Sequence, residues 1–596
     1  MKIKKDHLQL FFLSLVGFYP LLKFDWSSKI LFAFCLIVII KAIREKTIVF
    51  KKKDVSKFFL LSGFFICLFL SGLYSENTEV YFIKIIQMTP LIVIPFIISF
   101  IEFNFLNKKK HIIFRIFVMV NILYTGFITY LFYTSPDRMQ YDLYHYLLDY
   151  DKFQLITKNN LFNDFYLVHK PYFSMGFVMC AIFSLHYFFK DKAKNNVLKV
   201  IYFLSFLYFT IWVFYAFSFP NVLAYLICIL LTINHHFKIK QFVLFSILFI
   251  ACCIFFFTFK SYDNDVKRGY NFLKSSINKE NYELNDSRKE VYKSVKNILQ
   301  KSSLTQLIFG YGLGDIQDKL NQDYNSRLLE NRSRNILYYS EEFDNQFWFK
   351  NNITVESNKD LIIFDKQNSE LIRIDNADNN LSHNISTKFK PNSEEIFTFS
   401  VFVKSKHSKL FILRLGNINQ RAVFDINSGE VFQKNNVLSA NIKPFKGDWF
   451  RCSITVKLNK EELALIGLSN NEGEYVFKTD ESQSLFLWGA QIETGELTSY
   501  TKNKNELLHN ALNKELNSHN NYLSFLLSGG IITLSSFLCF IIFLFKNSLK
   551  PYNLLRLSFC IIISLNFLTE NILSRHWGLM FVSFMLILLF SKKEKY

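Results

Sequence analysis

The sequence contains few of the residues that build disulfide or zinc frameworks. Among 596 residues there are only 9 cysteines. Eight of them lie in apolar runs, and Cys452 is alone in the long polar stretch from Lys260 to Asn521. That stretch can therefore form no internal disulfide, and the ligand spacings of zinc sites are missing. We expect no metal and no other cofactor.

Signals for a nucleic-acid partner are also lacking. The formal net charge is +20, yet no stripe of basic and aromatic residues and no known nucleic-acid motif is present. The lysines lie instead in short loops between apolar runs, where they set the orientation of membrane segments. We predict a lipid bilayer as a partner and no nucleic acid.

Apolar and aromatic residues dominate the composition of the chain. The chain is 51% hydrophobic and 18% aromatic, with 70 Phe against 9 Pro, which is typical of a polytopic membrane protein with an added soluble part. A spanning helix needs about 20 mainly apolar residues. About twelve candidate transmembrane helices follow, near 8–24, 28–43, 57–74, 80–101, 112–134, 172–189, 198–218, 220–234, 241–259, 522–545, 554–570 and 576–591.

Lysines alternate between successive loops and predict the orientation. One set of loops is rich in lysine, as at Lys51 to Lys53 and Lys108 to Lys110, whereas the alternate loops, such as Ser75 to Glu79 and Thr569 to His576, are nearly free of it. The positive-inside rule then places both termini in the cytoplasm and the long polar stretch outside. The first span lacks a small-residue cleavage site, so we interpret it as a membrane helix and not a signal peptide.

The polar stretch changes character along its length. Residues from Ile396 to Val403 alternate with period two, and turn signals such as Asn427-Ser428-Gly429 separate similar runs, which indicates a β-sandwich. We predict a polytopic α-helical membrane protein that carries an inserted all-β domain. Its parts are an N-terminal membrane domain at 1–259 with about nine spans, a helical segment at 260–334, the sandwich at 335–502, a helical segment at 503–521 and a C-terminal membrane domain at 522–596 with about three spans.

Several segments outside the sandwich carry a resemblance to a known family. They are Arg288-Lys289-Glu290-Val291-Tyr292, Phe309 to Asp315, Ser518-His519-Asn520-Asn521-Tyr522-Leu523 with Ser528-Gly529-Gly530, His169-Lys170-Pro171-Tyr172 and Asn571 to Arg575. Together with the helix count, they resemble the O-antigen ligase/polymerase superfamily, which moves undecaprenyl-pyrophosphate-linked glycans at the outer face of the bacterial inner membrane. The resemblance implies an inner-membrane protein with a large periplasmic loop. One departure is the span that begins Ser218-Phe219-Pro220-Asn221, where many members carry an arginine.

The sandwich carries a second resemblance. Asn335 to Asp344, Trp449-Phe450-Arg451-Cys452 and Leu487 to Glu493 are similar to the lectin-like jelly-roll modules of phage fibres and glycan-active enzymes. Exposed aromatic side chains in such modules can stack on sugar rings, which implies carbohydrate binding. Trp449 and Trp488 lie on alternating strands, and we favour burial in the core for both.

His519 is the predicted catalytic residue. Joining a glycan to a hydroxyl acceptor needs a base for the hydroxyl proton, and histidine titrates near neutral pH. His519 lies beside amides where the polar stretch re-enters the bilayer. Spacing alone favours a hydrogen-bonded interfacial histidine, and the resemblance shifts the preference to the catalytic interpretation.

Cations must hold the pyrophosphate leaving group, and arginine binds phosphate oxygens with a planar fork. Arg288 and Arg575 fall on the predicted outer side and are the leading candidates, the alternative being membrane anchors. We predict further substrate contacts from Asn520, Asn521, His169, Gly312 and Gly314. The segment Gly310 to Gly314 lacks the Lys-Ser/Thr of a nucleotide loop and reads as a flexible turn.

The resemblance implies a metal-independent ligase that transfers a glycan from undecaprenyl pyrophosphate to the lipid A core. Three alternatives stay open. An O-antigen polymerase would extend the glycan on its carrier, and a protein O-oligosaccharyltransferase would use another hydroxyl acceptor. A membrane lectin or glycan flippase would not be an enzyme.

Overall fold

The computed structural model describes residues 2–102, 104–134, 170–190, 196–216, 218–237, 243, 288–331, 333–362, 368–374, 381–391, 394–478 and 483–591. The chain divides into two compact units. The helical unit comprises Met1–Asp323 and Glu515–Tyr596, and the β unit comprises Tyr324–Lys514. The predicted boundaries at 335 and 502 stay predictions.

The described ranges contain sixteen α-helices, and most of those in the helical unit are apolar. They are α1 (Lys2–Val16), α2 (Phe24–Arg44), α3 (Lys52–Leu70), α4 (Thr78–Gln87), α5 (Pro90–Phe100), α6 (Asn104–Thr134), α7 (Lys170–Lys190), α8 (Asn196–Ala216), α9 (Phe219–His236), α10 (Arg288–Lys301), α11 (Leu304–Phe309), α12 (Ile316–Glu330), α13 (Glu506–Asn513), α14 (Asn521–Leu549), α15 (Leu554–Phe567) and α16 (His576–Phe590). Of these, α13 and the end of α12 belong to the β unit.

Eight helices in the described ranges are long and apolar enough to cross a membrane, and three shorter apolar helices cover His7–Val16, Leu554–Phe567 and His576–Phe590. These helices are compatible with a membrane-spanning protein, as the composition predicts. Eleven of the twelve predicted spans coincide with one of them. The ninth, at 241–259, lies outside the described residues.

Contacts between loops gather at one end of the helical unit, which we call the polar end. Ser27 lies in the first turn of α2 and contacts His576 at the start of α16. The Ser27 Oγ and the His576 Nε2 are 2.6 Å apart. Ser75, after α3, donates to Asp315 at 2.9 Å. The polar end also contains the loops at 517–521 and 568–575. Lysine-poor loops therefore share one end of the helices.

A broken helix shapes the polar end. Gly529 and Gly530 interrupt α14 with non-helical backbone angles, and Gly530 has φ of 67°. The break leaves carbonyl groups of α14 without hydrogen-bond partners inside the helix. The 310–312 segment provides the missing donors: the Tyr311 N–H donates to Leu527 O at 2.8 Å, and the Gly312 N–H donates to Ser528 O at 2.9 Å.

The glycines permit this close backbone approach. A Cβ on Gly530 would overlap the Ile308 carbonyl group, and one on Gly310 would lie 2.5 Å from the Ser528 carbonyl oxygen. The predicted flexible turn is instead fixed against α14.

The β unit contains two six-stranded sheets. The strands are β1 (Phe349–Asn351), β2 (Ile353–Ile362), β3 (Asn368–Ile374), β4 (Leu381–Ser382), β5 (Asn384–Phe389), β6 (Glu395–Ser405), β7 (Leu410–Gly416), β8 (Arg421–Asp425), β9 (Glu430–Asn435), β10 (Ser439–Pro444), β11 (Phe450–Leu458), β12 (Glu462–Leu468), β13 (Val476–Phe477) and β14 (Ser484–Thr494). The sheet orders are β1-β5-β12-β7-β8-β9 and β10-β11-β6-β14-β3-β2, with a small β13-β4 pair.

Alternate residues of both sheets enter one hydrophobic core, which makes the unit a β-sandwich. Val401 and Val403 of β6 pack in this core with Phe411 and Leu413 of β7. The residue between the two valines, Phe402, faces the other side of its sheet because side chains alternate along a strand.

A second cluster occupies that outer side. It contains Trp449 and Trp488, 5% and 3% exposed, together with Phe402. Tyr500 packs against the cluster. Both tryptophans are therefore buried, but in this outer cluster and not in the main core.

Candidate active site

The site is built on a network of amides at the polar end. Asn571 donates through Nδ2 to Asn517 Oδ1 at 2.9 Å, and its Oδ1 accepts the Asn520 backbone N–H at 3.1 Å. Asn520 in turn caps α14 by accepting the Leu523 N–H at 3.1 Å. These bonds join the turn before α14 to the loop after α15 and hold the intervening His519 in place.

His519 itself has an unusual backbone. Its φ is 44°, in the left-handed region that a non-glycine side chain adopts at a cost of order 1–3 kcal/mol. Asn517 Oδ1 stabilises this turn by accepting the His519 N–H at 2.9 Å. The side chain is partly buried, with 22% of its surface exposed. Such strained residues cluster at functional sites.

Glu570 connects two of the predicted site residues. Its Oε2 lies 3.7 Å from His519 Nδ1, and its Oε1 lies 3.6 Å from Arg288 Nη2. The carboxylate side chain is 11% exposed, whereas the Arg288 side chain is 45% exposed. The separation of 3.7 Å is too long for a hydrogen bond, and His519 Nδ1 has no hydrogen-bond partner among the residues that the structure describes. The structure thus brings His519 and Arg288 together through a residue that the sequence analysis missed.

Arg575 lies at a different pocket of the polar end. It caps α16 and is exposed. With Ser28, Gln87 and His576 it lines a cavity of about 600 Å³ whose other walls are mostly apolar side chains of α2, α5 and α16. Arg575 is the permanently charged residue in this lining. The cavity therefore combines apolar walls with a cationic rim.

Lys84 adds a second cation that the sequence analysis did not single out. It lies in α4, donates to Leu313 O at 3.1 Å and interacts electrostatically with Asp315, Asp318 and Arg575. A lysine inside an otherwise apolar segment is the sequence signal that points to it, because intramembrane ionisable residues usually have functional partners.

The other predicted contact residues have structural partners. Asn520 donates to Leu568 O at 3.0 Å, and Asn521 is fully buried and accepts the Leu573 N–H at 3.4 Å. Gly312 and Gly314 pack against the 75–77 loop, where a Cβ on either would overlap Ser75 or Asn77. Their contact with substrate stays a prediction. His169 lies outside the described residues.

An amide network stands where members of the resembled family carry an arginine. Asn221 is fully buried and donates to Pro171 O and Ser218 Oγ, both at 3.0 Å. It also accepts from Asn566 Nδ2 at 2.7 Å. Neutral groups therefore join helices α7, α9 and α15 here. The cations that remain as candidates for a phosphate contact are Arg288, Arg575 and Lys84.

No group of three or more metal-ligating side chains occurs in the part of the chain that the structure describes. The arrangement can orient an imidazole and present cations, which are the functions that acid–base and phosphate chemistry require.

Comparisons with known proteins give little more. No protein-family model and no curated protein matches the chain. A solved structure, the enzymatically active domain of tailspike protein 4 of bacteriophage CBA120, is similar at a TM-score of 0.18 and 9% identity. The match covers 27% of this chain and 22% of that one.

Proposed function

We propose that the protein is a lipid-linked glycan transferase that joins a glycan from undecaprenyl pyrophosphate to a hydroxyl acceptor. The observation that carries the proposal is the His519–Glu570–Arg288 arrangement, with distances of 3.7 and 3.6 Å, at the end of a bundle of apolar helices. A lipid-anchored substrate presents its head group at this depth.

His519 acts as the base. The carboxylate of Glu570 lies 3.7 Å from Nδ1. In the proposed reaction this contact shortens to a hydrogen bond that orients the ring, and Nε2 takes the proton of the acceptor hydroxyl. The acceptor oxygen forms a bond to the anomeric carbon of the glycan. The bond between that carbon and the pyrophosphate oxygen breaks, and the lipid pyrophosphate leaves with the electron pair.

The donor lipid occupies the Arg575 cavity in this proposal. Apolar walls from α2, α5 and α16 suit the hydrocarbon chain, and the guanidinium at the rim suits the pyrophosphate oxygens. Leu573, which lines the cavity, donates its backbone N–H to Oδ1 of Asn521 at 3.4 Å, and Asn521 is two residues after His519. One hydrogen bond therefore connects the wall of the donor pocket to the segment that carries the base.

The acceptor separates the ligase from its alternatives. Transfer to the lipid A core makes the protein an O-antigen ligase, and transfer to another carrier-linked glycan makes it a polymerase. Both reactions use the same base and leaving group. A ligase product carries no pyrophosphate lipid, whereas a polymerase product stays on one, and chromatography of the lipid products distinguishes them.

The proposed location is the bacterial inner membrane with the polar end and the β unit in the periplasm. The lysine-rich loops support this orientation through the positive-inside rule. Reporter fusions after Lys53, Lys110 and Lys194 should read as cytoplasmic, and one within 335–502 as periplasmic. A cytoplasmic signal from 335–502 would reverse the orientation.

Substitution of the base tests the function. His519→Gln keeps a hydrogen-bonding side chain but cannot serve as a base, so transfer by the purified protein in liposomes should fall by about 10²–10⁴-fold. His235→Gln, an exposed histidine at the end of α9, is the matched control and should leave transfer unchanged. Near-normal turnover by a stably folded His519→Gln protein would refute the proposal.

A further inference from the structure

An open groove lies between α10 and the first turn of α14, close to the segment that carries the proposed base. Its volume is about 340 Å³. The lining residues are Tyr292, Val295, Lys296, Leu299, Gln300 and Leu523. Leu523 is four residues after His519. The residues from α10 form one stripe, because residues three and four apart lie on the same face of a helix.

The groove is distinct from the proposed donor site. It shares no lining residue with the Arg575 cavity, which is built from α2, α5 and the start of α16. The helical unit therefore offers two separate recesses at the polar end, as a reaction with two substrates requires.

The charge in the groove is positive. Lys296 is exposed, and the lining contains no carboxylate. Helix α10 as a whole has five basic residues and one acidic residue, Glu290. Glu290 Oε1 lies 2.7 Å from Lys293 Nζ, so this acid has a partner on the same helix. The groove therefore attracts an anionic group.

An aromatic ring lies beside the cation. Tyr292 is 41% exposed, and Lys296 follows one helical turn later, which places the two Cβ atoms about 5–6 Å apart. A tyrosine ring offers an apolar face to a sugar ring, and a lysine binds phosphate as a point charge. Gln300 adds an amide that can bond to hydroxyl groups. This combination suits a sugar ring that itself carries a phosphate group.

The stripe leads from the groove to the proposed base. Arg288 lies one turn before Tyr292, and Glu570 lies 3.6 Å from Arg288 and 3.7 Å from His519. Lys296 is eight residues after Arg288, which corresponds to about 12 Å along the helix axis. A phosphate at Lys296 is therefore held away from the Glu570 carboxylate, and the rest of the head group can extend towards His519.

We infer that this groove binds the acceptor through a phosphate group on a sugar ring of its lipid-anchored head group, as in lipid A. The inference rests on the proposed transferase function, because that reaction needs a hydroxyl acceptor beside the base. It adds that the two substrates are held by different cations. Arg575 holds the donor pyrophosphate, and Lys296 holds the sugar phosphate of the acceptor.

The test is a titration of the purified full-length protein in detergent with diphosphoryl lipid A, followed by native mass spectrometry. Lys296→Gln should raise the Kd about tenfold, because one charged contact is lost. Tyr292→Ala should also raise the Kd, whereas Tyr292→Phe should leave it nearly unchanged because the ring remains. Phosphatidylglycerol is the comparison lipid, because it has a phosphate and no sugar ring. Its Kd should not respond to Tyr292→Ala.

Lys301→Gln is the matched control. It removes the same charge from the same helix, and Lys301 is exposed and outside the groove. Equal Kd values for the Lys296→Gln and Lys301→Gln proteins would overturn the inference, and so would an equal effect of Tyr292→Ala on both lipids. Binding needs no turnover, so the His519→Gln protein should bind lipid A normally. The binding test therefore fails independently of the transfer test.

Discussion

The carboxylate of Glu570 lies 3.7 Å from Nδ1 of His519, and the two residues come from loops on either side of two apolar helices, α14 and α15. The same carboxylate lies 3.6 Å from Arg288. One acidic side chain therefore lies between the proposed base and a nearby cation. The catalytic role of His519 stays a prediction, and Glu570 is the carboxylate through which it can be tested.

The role of Glu570 can be tested through its dependence on His519. Glu570→Gln removes the charge that faces Nδ1, so kcat for transfer should fall, by no more than the about 10²–10⁴-fold expected for loss of the base. In the His519→Ala background the same change should have no further effect, because a positioning residue acts only through the imidazole. Glu570→Asp should recover part of the activity.

Glu79→Gln, an exposed carboxylate at the start of α4, is the control for removal of an acidic group near the same end. Steady-state kinetics on all variants provides the measurement. A full additional loss in the double variant would show that Glu570 supports the fold and not the base.

The two arginines should differ in their kinetic effect. Arg575→Ala removes the cation from the donor cavity, so KM for the lipid pyrophosphate should rise about tenfold to a hundredfold, the equivalent of a charged hydrogen bond of about 1.5–3 kcal/mol. Arg575→Lys should recover only part, because lysine lacks the two-pronged fork. Arg288→Ala should also lower kcat, since Arg288 pairs with Glu570.

Arg44→Ala is the matched control for Arg575, because Arg44 is exposed at the opposite end of α2 from Ser27 and Ser28. Donor titrations at saturating acceptor separate KM from kcat. An unchanged KM in Arg575→Ala would remove the donor from this cavity.

The break in α14 gives a stability prediction. Gly530→Ala places a Cβ against the Ile308 carbonyl group at a φ of 67°, so it should destabilise the helical unit by about 1–3 kcal/mol. Gly126→Ala is the control, because a Cβ there meets no atom within 4 Å. Thermal unfolding in detergent should show a lower Tm for Gly530→Ala alone. Equal Tm values would mean that the 310–312 segment does not pack on α14 as described.

The β unit should have pH-dependent stability because of Glu370. Burial, together with the nearby Asp344 carboxylate, raises the pKa of Glu370 to about 7. A carboxyl group with a raised pKa in the folded state stabilises the fold when protonated, so stability should fall as pH rises from about 4.5 to about 7. A fragment spanning 324–514 should unfold cooperatively, with a lower midpoint in urea at pH 8 than at pH 5.

Glu370→Gln should flatten this dependence, because the amide carries no charge at either pH. Glu430→Gln, on exposed β9, is the control and should retain it. Identical pH dependence in the Glu370→Gln and unmodified fragments would assign the effect to another group. A fragment without a cooperative transition would contradict the two-unit description.

Periodicity in the sequence determined the elements of this protein. Runs of about 20 apolar residues mark the long apolar helices, and period-two runs such as Ile396 to Val403 mark strands of the sandwich. The lysine alternation also indicates which loops share an end. These features are local, because each depends on the environment of residues along one element. His519, Arg288 and Arg575 are predicted site residues on the same local basis, which is residue type and position beside the apolar runs.

Only the tertiary structure decided which residues meet. Glu570 is an ordinary acidic residue until α14 and α15 fold back and bring it to His519. Gly310 and Gly530 look like separate flexible turns until their backbones pack together. The period-two pattern predicts that Trp488 is buried. Which face of its sheet Trp488 occupies depends, however, on how the second sheet packs. Contacts between distant elements follow from helix and sheet packing, which no local pattern encodes.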